Sequence, residues 1–344
     1  MRGLLMSGWL VCALMALPAM AQTSPAAMGQ SPPIVLKLSH FLGPASFFEV
    51  DFAQPWAREL EARTNGRVRV EIYNAASPLG GVTAQAAQVK AGTIDIALGL
   101  RGAESDRFPR SSVAELPFVV KDSETGSRAV WAFNKQGGFG DEYAGFKLLA
   151  LTVHNPGLIH TARKRVETVA DIKGLSFRAP NKAVAAALEQ LGATPLVLQV
   201  NDVMPAVLSG KLDGIVTNWG NPLVGFNDYM KFHTNVAFYS SVFFVVMNKE
   251  KFASLPEDVQ AAIDAQSNEA LVARFGLLWN KWDAPVRDGA SGPGQEIITP
   301  TPAEMADWRA ALQPVADKYL DGLAAAGFGD AHTAYGRLVA MMPR

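Results

Sequence analysis

The sequence predicts an α/β protein of two lobes with a cleft between them and one long helix that spans both lobes. Strand patterns alternate with helical patterns along the chain, which favours a sheet with mainly parallel strands. The segments Val89–Leu98 and Val207–Val216 resemble each other: a helix ends at a glycine, an aspartate follows three residues later, and an apolar strand begins. The apolar run Ser241–Asn248 has the length of a strand buried on both faces, and we expect it to return the chain to the first lobe.

The first 33 residues predict an export signal followed by a lead-in. Arg2 precedes an apolar core from Leu4 to Leu17, and Ala19-Met20-Ala21 is the small-x-small pattern at which signal peptidase cuts. We therefore expect residues 1–21 to be removed on export. Residues 22–33, rich in Ser, Ala, Gly and Pro, are expected to be disordered.

Composition and motif searches argue against several classes of function. The 31 basic residues balance 32 acidic ones, whereas a nucleic-acid-binding protein would show a basic excess. After the signal, no run approaches the ~20 apolar residues that a membrane span needs. The histidines lack metal-ligand spacing, and no nucleophile elbow, Walker loop or dinucleotide fingerprint is present. We therefore expect neither a metal nor a cofactor, and we do not expect an enzyme.

Lobe I is predicted to comprise residues 34–154 and 241–285. Alternating residues predict its first strand, Ile34–Ser39, and Phe52, Trp56 and Leu60 recur at helical spacing after it. The chain is expected to leave this lobe at His154-Asn155-Pro156-Gly157, where a buried strand is interrupted. The other strands predicted in this part are Arg67–Tyr73, Ile94–Leu98 and Lys147–Val153.

Lobe II is predicted to comprise residues 155–240 and 286–344. Two capping-box patterns with an internal proline mark the starts of later helices. The first, at Ser254, opens the long helix that is expected to span both lobes and to end at about Val286. The second, at Thr301, opens a closing helix that ends at about Ala326. The remaining predicted elements are a short helix at Thr168–Lys173, a strand ending at Arg178, a helix through Ala183, Ala187 and Leu191, a strand at Leu196–Leu198, a helix from Asn201 to Ser209, a strand ending at Thr217-Asn218-Trp219 and a last helix at Ala331–Met342.

Arg178 ends an apolar-alternating run and is followed one residue later by Pro180, so the chain reads as a strand with a guanidinium at its tip. Open α/β sheets bind ligands at strand tips. The planar guanidinium matches a carboxylate bidentately, which lysine cannot reproduce. The alternative is an ordinary surface arginine.

Polar and aromatic residues near other predicted strand tips complete a candidate small-ligand site. Each also has a structural interpretation: Trp219 as a hinge or core aromatic, Phe47 as a core residue, and Arg101 as either. The candidate ligand-binding residues are Arg178, Trp219, Asn218, Thr217, Arg101, His154, Asn155 and Phe47.

Six motifs in order resemble the solute-binding proteins of tripartite ATP-independent periplasmic (TRAP) transporters. The resemblance implies a periplasmic protein whose two lobes close, like a Venus flytrap, on a small organic acid held by Arg178. It also implies membrane permease subunits as partners, and we expect a monomer. The motifs are Thr64–Val68, Val89–Asp95, Glu115–Phe118, Asp171–Pro180, Gly210–Gly214 and Leu255–Glu257.

Two departures from the family pattern bear on the ligand. Many members carry a second arginine where this chain reads Gly157-Leu158-Ile159, which with Trp219 favours a monocarboxylate that has an apolar, aromatic or 2-oxo body. Arg101, His154 or His160 could still supply a second donor. The asparagine that braces the family arginine has no clear counterpart, so Thr217, Asn218 and Asn221 all remain candidates.

Three alternatives stay open at this point. The first is a C4-dicarboxylate or sugar-acid binding protein of the same transporter type. The second is an exported enzyme acting on an organic acid, for which only His154 or His160 could be the general base. The third is a ligand-sensing subunit of a membrane receptor, which would use the same cleft.

Overall fold

The computed structural model describes residues 32–198, 200–220 and 226–343. The predicted signal peptide, nearly all of the lead-in and Asn221 lie outside these residues. No helix in the described part of the chain is both long and apolar enough to cross a membrane. The strands are β1 Ile34–His40, β2 Val68–Tyr73, β3 Ile96–Leu100, β4 Lys147–Val153, β5 Gly157–Thr161, β6 Ser176–Ala179, β7 Thr194–Val197, β8 Gly214–Thr217, β9 Phe232–Tyr239, β10 Val242–Met247 and β11 Glu296–Ile298.

Helices cover the sheets and connect their strands. A π-helix, Phe48–Ala53, runs directly into the first α-helix, and 3₁₀ turns follow β3 and precede β6. The α-helices are α1 Gln54–Arg63, α2 Gln85–Lys90, α3 Ser123–Lys135, α4 Lys182–Gln190, α5 Val200–Leu208, α6 Phe226–Tyr229, α7 Lys249–Ser254, α8 Glu257–Ala265, α9 Asn268–Gly289, α10 Pro302–Ala325 and α11 Ala331–Met341.

The strands form two mixed sheets, which confirms the predicted α/β class. The first sheet has the order β2-β1-β3-β10-β4 and the second β11-β9-β5-β8-β6-β7. Parallel strand pairs outnumber antiparallel pairs only narrowly, because β10 runs antiparallel to β3 and β4, and β5 runs antiparallel to β8 and β9. The prediction that the apolar run Ser241–Asn248 rejoins the first sheet is confirmed by β10. Strands β5, β9 and β11 were not predicted.

The repeated glycine-aspartate segments play the same role in the two sheets. Asp95 Oδ2 accepts a hydrogen bond from Lys37 N of β1 at 2.8 Å, and Asp213 Oδ2 accepts one from Ser176 N of β6 at 2.8 Å. Each aspartate therefore fixes the start of its own strand against the neighbouring strand. The echo in the sequence reflects one structural unit that is used twice.

The predicted boundaries of the long helix are wrong. The predicted span, from Ser254 to about Val286, is divided into α8 and α9 by a break at Gln266-Ser267. α7 ends at Ser254, where the helix was expected to begin, and the 22-residue helix α9 continues to Gly289. Ser254 lies in α7 and bonds back to Lys251 O, so it does not cap α8. The second capping box is confirmed, because Thr301 and Glu304 exchange both capping hydrogen bonds at the start of α10.

Buried side chains form one core on the first sheet and two smaller clusters on the second. All strands of the first sheet fall within residues 34–154 and 241–285, and all strands of the second within the remainder. The last helix, α11, packs in the first core, although the sequence assigned it to lobe II. The lobe boundaries themselves stay a prediction.

Candidate functional site

A cavity of about 100 Å³ lies where strand ends of both sheets meet α9. It is smaller than an engineered apolar cavity of about 150 Å³ that binds benzene, so it favours a compact ligand with no more than one small ring. Aromatic rings and a few polar groups line it, which is the usual make-up of a small-molecule site. The lining residues are Phe41, Leu42, Phe47, Phe48, Leu100, His154, Arg178, Pro180, Thr217, Asn218, Gly220, Tyr239, Ser241, Phe243 and Trp279.

Arg178 is the cation of this cavity. It lies near the end of β6, where Pro180 follows, and its side chain is only 8% exposed. Its Nε donates to Leu198 O at 3.2 Å, and burial lowers its pKa. Within the described residues no carboxylate lies within 4 Å of its guanidinium to offset that burial. An anionic ligand would supply the missing countercharge.

Three hydroxyl groups line the cavity with Arg178, those of Thr217, Tyr239 and Ser241. Burial raises the pKa of Tyr239 to about 12, although the nearby Arg178 cation and hydrogen bonds with Thr217 and Ser241 act in the opposite direction. Tyr239 is therefore protonated and can donate a hydrogen bond. Its ring lies so close to Gly157 that a Cβ there would be 2.1 Å from Cε1, which explains why this position carries no side chain.

Aromatic residues form the apolar wall of the cavity. Phe48 begins the π-helix, and its ring packs edge-on against Phe243 of β10 at 5.7 Å and against Trp279 of α9 at 5.7 Å. Phe47 lies 5.0 Å from Phe48 in a T-shaped contact, so it serves both the core and the cavity. Single-turn π-helices are frequent at functional sites because they displace side chains from the regular helical register. Here Phe48 begins the π-helix and Phe47 directly precedes it, and both rings contact Trp279 of α9.

His154 is held as a neutral imidazole. Its Nε2 accepts a hydrogen bond from Ser241 N at 3.0 Å, so the ring proton is on Nδ1, which donates to Asn155 O at 2.5 Å. Burial is the main cause that lowers its pKa to about 4. Both nitrogens are engaged by the backbone, so His154 has no free lone pair with which to act as a general base.

The stability of the protein is expected to fall between pH 7 and pH 5 through His154. Its folded pKa of about 4 is below the ordinary 6.5, so between these values the unfolded chain binds a proton that the folded chain does not. At pH 5 the cost is about 2 kcal/mol. In urea denaturation, His154→Gln should lose about 2 kcal/mol less than the wild type between pH 7 and pH 5. Equal losses would contradict this.

Trp219 lies outside the cavity lining. It is buried in a core cluster of the second sheet, with its ring 4.9 Å from His160 and 4.9 Å from His233. His160 bonds to His233 Nδ1 at 2.8 Å and to Thr217 O at 3.0 Å, and burial lowers the pKa of both histidines. Trp219 is therefore a core aromatic residue in this structure, which was one of the two interpretations that its position in the sequence allowed.

Arg101 and Asn155 also lie outside the cavity lining. Arg101 is buried, and its Nη2 pairs with Glu115 Oε2 at 2.5 Å. It lines a neighbouring chamber of about 380 Å³ that shares Leu100 and Pro180 with the cavity. Asn155 Oδ1 accepts from Ser123 N at 2.7 Å, while its amide group bonds to α9.

The candidates thus divide into two groups. Arg178, Thr217, Asn218, His154 and Phe47 meet at the cavity, whereas Trp219, Arg101 and Asn155 do not line it. Sequence reasoning missed several lining residues that come from β9, β10 and α9, far from Arg178 in the chain. Only the aromatic content of the Ser241–Asn248 run and of α9 pointed towards them. Missed were Phe41, Leu42, Leu100, Gly220, Tyr239, Ser241, Phe243 and Trp279. No cluster of metal-ligating side chains occurs within the described residues.

Comparison with known proteins gives one consistent picture. The family model "Bacterial extracellular solute-binding protein, family 7" matches residues 38–322. A TRAP solute-binding protein from a marine metagenome, described as specific for aromatic acid ligands and solved with metahydroxyphenylacetate, is 29% identical with a TM-score of 0.84, covering 90% of this chain and 98% of its own. A TRAP solute-binding protein from Rhodoferax ferrireducens, solved with copurified benzoate, is 30% identical with a TM-score of 0.82, covering 90% and 97%.

A curated relative extends the range of ligands. The C4-dicarboxylate-binding periplasmic protein DctP of Rhodobacter capsulatus is 25% identical over 307 residues, which is 85% of this chain and 88% of the relative. Proteins similar to this chain therefore include both aromatic-acid and dicarboxylate binders.

Proposed function

Because the chain belongs to family 7 of the bacterial extracellular solute-binding proteins, we propose that it captures a small aromatic monocarboxylate and that Arg178 is the residue that pairs with the ligand's carboxylate. The protein is a solute-binding protein of the TRAP type, which delivers an organic acid to membrane permease subunits. The aromatic preference is supported by the cavity itself. Arg178 is the only lysine or arginine among the described lining residues, and it faces a wall of rings that includes Phe48, Phe243 and Trp279.

Each part of such a ligand has a matching group. The guanidinium of Arg178 provides a planar fork for the carboxylate, and the hydroxyls of Thr217, Tyr239 and Ser241 can bond its oxygens. Offset or edge-on contacts between rings stabilise by about 0.5–1.5 kcal/mol beyond the area they bury. The ligand would thus be held by charge at one end and by aromatic packing along its body.

Binding without catalysis is the second part of the proposal. The histidines nominated as general bases for an exported enzyme are His154 and His160, and each has both ring nitrogens hydrogen-bonded within the protein. Neither can take a proton from a bound acid without breaking one of these bonds. We therefore infer that the bound acid leaves unchanged.

A dicarboxylate is the second candidate ligand, and its support is the similarity to DctP of Rhodobacter capsulatus. A second carboxylate would need a second cation. Arg101, the residue nominated for that role, is neutralised by Glu115 at 2.5 Å and faces the neighbouring chamber. The aromatic monocarboxylate therefore agrees better with the charges around the cavity.

Location and lobe closure follow from the same proposal. We propose that export removes residues 1–21 and that the protein acts as a monomer in the periplasm, where its curated relative DctP is found. Residues 34–154 with 241–285 and residues 155–240 with 286–330 would then form the two lobes that close on the acid. The last helix, α11, would belong to the first lobe, because it packs in the first core. The strand membership of the two sheets supports this division.

A thermal-shift screen of the purified protein tests the proposal. The panel should contain aromatic, 2-oxo and aliphatic monocarboxylates, C4-dicarboxylates and sugar acids. A ligand at 100 times its Kd adds about 2.7 kcal/mol of stability, which raises Tm by a few degrees. We expect benzoate and its relatives to give the largest shift. A shift given by C4-dicarboxylates alone would contradict the ligand class, and turnover of any bound acid would contradict the binding function.

A further inference from the structure

Asp283 is a buried carboxylate of α9 that lies against the cavity wall. Its side chain is 2% exposed and accepts three hydrogen bonds from N–H donors. Asn155 Nδ2 donates to Oδ2 at 2.7 Å, and Asn218 Nδ2 and Gly220 N donate to Oδ1 at 3.2 and 2.5 Å. Asn218 and Gly220 line the cavity, and Asn155 lies between β4 and β5, where the chain passes from the first sheet to the second.

The donors require an ionised acceptor at this position. Among the described residues, every hydrogen bond to Asp283 comes from an amide N–H, and only a carboxylate accepts such bonds with both oxygens. No basic side chain lies within 4 Å of it in the described residues, and Arg287, one turn further along α9, acts on it only at longer range. Burial raises the pKa of Asp283 against the effect of these bonds. A buried charge held only by amide dipoles is costly, which argues for a role beyond stability.

Packing around Gly220 shows how closely the two segments meet. A Cβ at this position would lie 2.5 Å from Asp283 Oδ1 and 3.2 Å from Trp282 Cβ, so only glycine allows this approach. Pro285 lies in the next turn of α9 and removes one helical hydrogen bond there. Asp283 thus fixes the cavity wall to α9 where the helix is weakened.

We propose that Asp283 is a ligand-positioning residue, which holds Asn218 and Gly220 at the cavity and links them through Asn155 to the first crossing between the sheets. This inference rests on the proposed function, because it assigns the residue to the same ligand site. It assigns no ligand contact to Asp283 itself, which acts through the segment that it holds.

Benzoate binding, measured by isothermal titration calorimetry, tests the proposal. Asp283→Asn is isosteric but presents an NH₂ group to a donor, and we expect its Kd for benzoate to rise at least about tenfold. Glu269→Gln is the matched control, since Glu269 also lies on α9 and accepts a hydrogen bond from Trp131 Nε1 at 2.8 Å, away from the cavity. Its Kd should stay within about twofold of the wild type. A similarly small change in Asp283→Asn would overturn the proposal.

A double-mutant cycle separates positioning from a general loss of structure. If Asp283 acts through Asn218, the Kd increase of the pair Asp283→Ala with Asn218→Ala should fall clearly below the product of the single increases. Multiplying effects would overturn the proposal. Asn155→Asp provides a second variant should Asp283→Asn not fold. It keeps the acceptor for Ser123 N but sets a carboxylate against Asp283, and it should also weaken benzoate binding.

Hydrogen exchange of the Gly220 amide, measured without any ligand, tests the role of Asp283 independently of the proposed binding function. In Asp283→Ala, which removes both acceptor oxygens, this amide should exchange at least about tenfold faster, because its acceptor is lost. Failure of the wild type to bind benzoate or any other acid of the panel would overturn the proposed function. The Gly220 amide would still decide whether Asp283 holds the wall, and unchanged protection would overturn that.

Discussion

Replacing Arg178 by alanine is expected to raise the Kd for the bound acid at least about a hundredfold, while the protein still folds. The guanidinium is buried, has no carboxylate within 4 Å among the described residues, and lies with Tyr239 at the cavity. Without it, the ligand's carboxylate would lose its hydration with no countercharge. Truncating one member of a buried, hydrogen-bonded charge pair costs about 2–5 kcal/mol.

The unliganded variant should be about as stable as the wild type. Burial lowers the pKa of Arg178, which means that the folded protein holds this cation at a cost in free energy. Removing it relieves that cost and offsets part of the lost packing. Thermal unfolding should therefore show a similar Tm without ligand and no ligand-dependent increase. A large drop of Tm in the absence of ligand would instead identify Arg178 as a structural residue.

Two further variants sharpen the test of Arg178. Arg178→Lys keeps the charge but loses the planar fork, so we expect affinity at least about tenfold below the wild type. Arg165→Ala is the matched control, because this arginine pairs with Glu167 and Glu296 and does not line the cavity. It should bind the acid with wild-type affinity. Full affinity in Arg178→Ala would contradict the assignment of the carboxylate partner.

The position of Arg178 was predictable because its signals are local. A strand that alternates apolar residues and stops before a proline presents its last side chains at the sheet edge, and β6 does so with Arg178 and Pro180. The same reason explains two other successful predictions, the apolar run that forms β10 and the paired turns at Asp95 and Asp213. Each depends on fewer than about ten consecutive residues.

The rest of the site could not be predicted because it depends on contacts between distant segments. Tyr239, Ser241 and Trp279 reach Arg178 only through the return of the chain into the first sheet and the course of α9. Trp219 was nominated because it follows a strand tip, yet β8 ends at Thr217 and the chain then turns the ring into the core. Arg101 was nominated for its charge, and its neutralisation by Glu115 comes from a 3₁₀ turn in another segment.

Terephthalate is expected to bind at least about a hundredfold more weakly than 4-nitrobenzoate. Both ligands offer one carboxylate to Arg178 and carry a planar para substituent of similar size, because a nitro group is isosteric with a carboxylate, so they differ mainly in the second charge. A buried carboxylate without a partner costs several kcal/mol. Among the described lining residues Arg178 is the only arginine or lysine, and the internal positions outside the description, Gln199 and Asn221–Gly225, include no basic residue.

Titration calorimetry with benzoate, 4-nitrobenzoate and terephthalate separates charge from size. Weak binding of both substituted acids would mean that the cavity is too small for a para substituent, and the charge argument would then require ortho- and meta-substituted pairs. Tight binding of 4-nitrobenzoate with weak binding of terephthalate is the result expected if Arg178 is the one cation that the ligand reaches. Tight binding of terephthalate would contradict it, because the second carboxylate must then reach a cation in the neighbouring chamber, where Arg101 and Lys182 lie. In that case Arg101→Met should abolish the binding of terephthalate and leave that of benzoate intact.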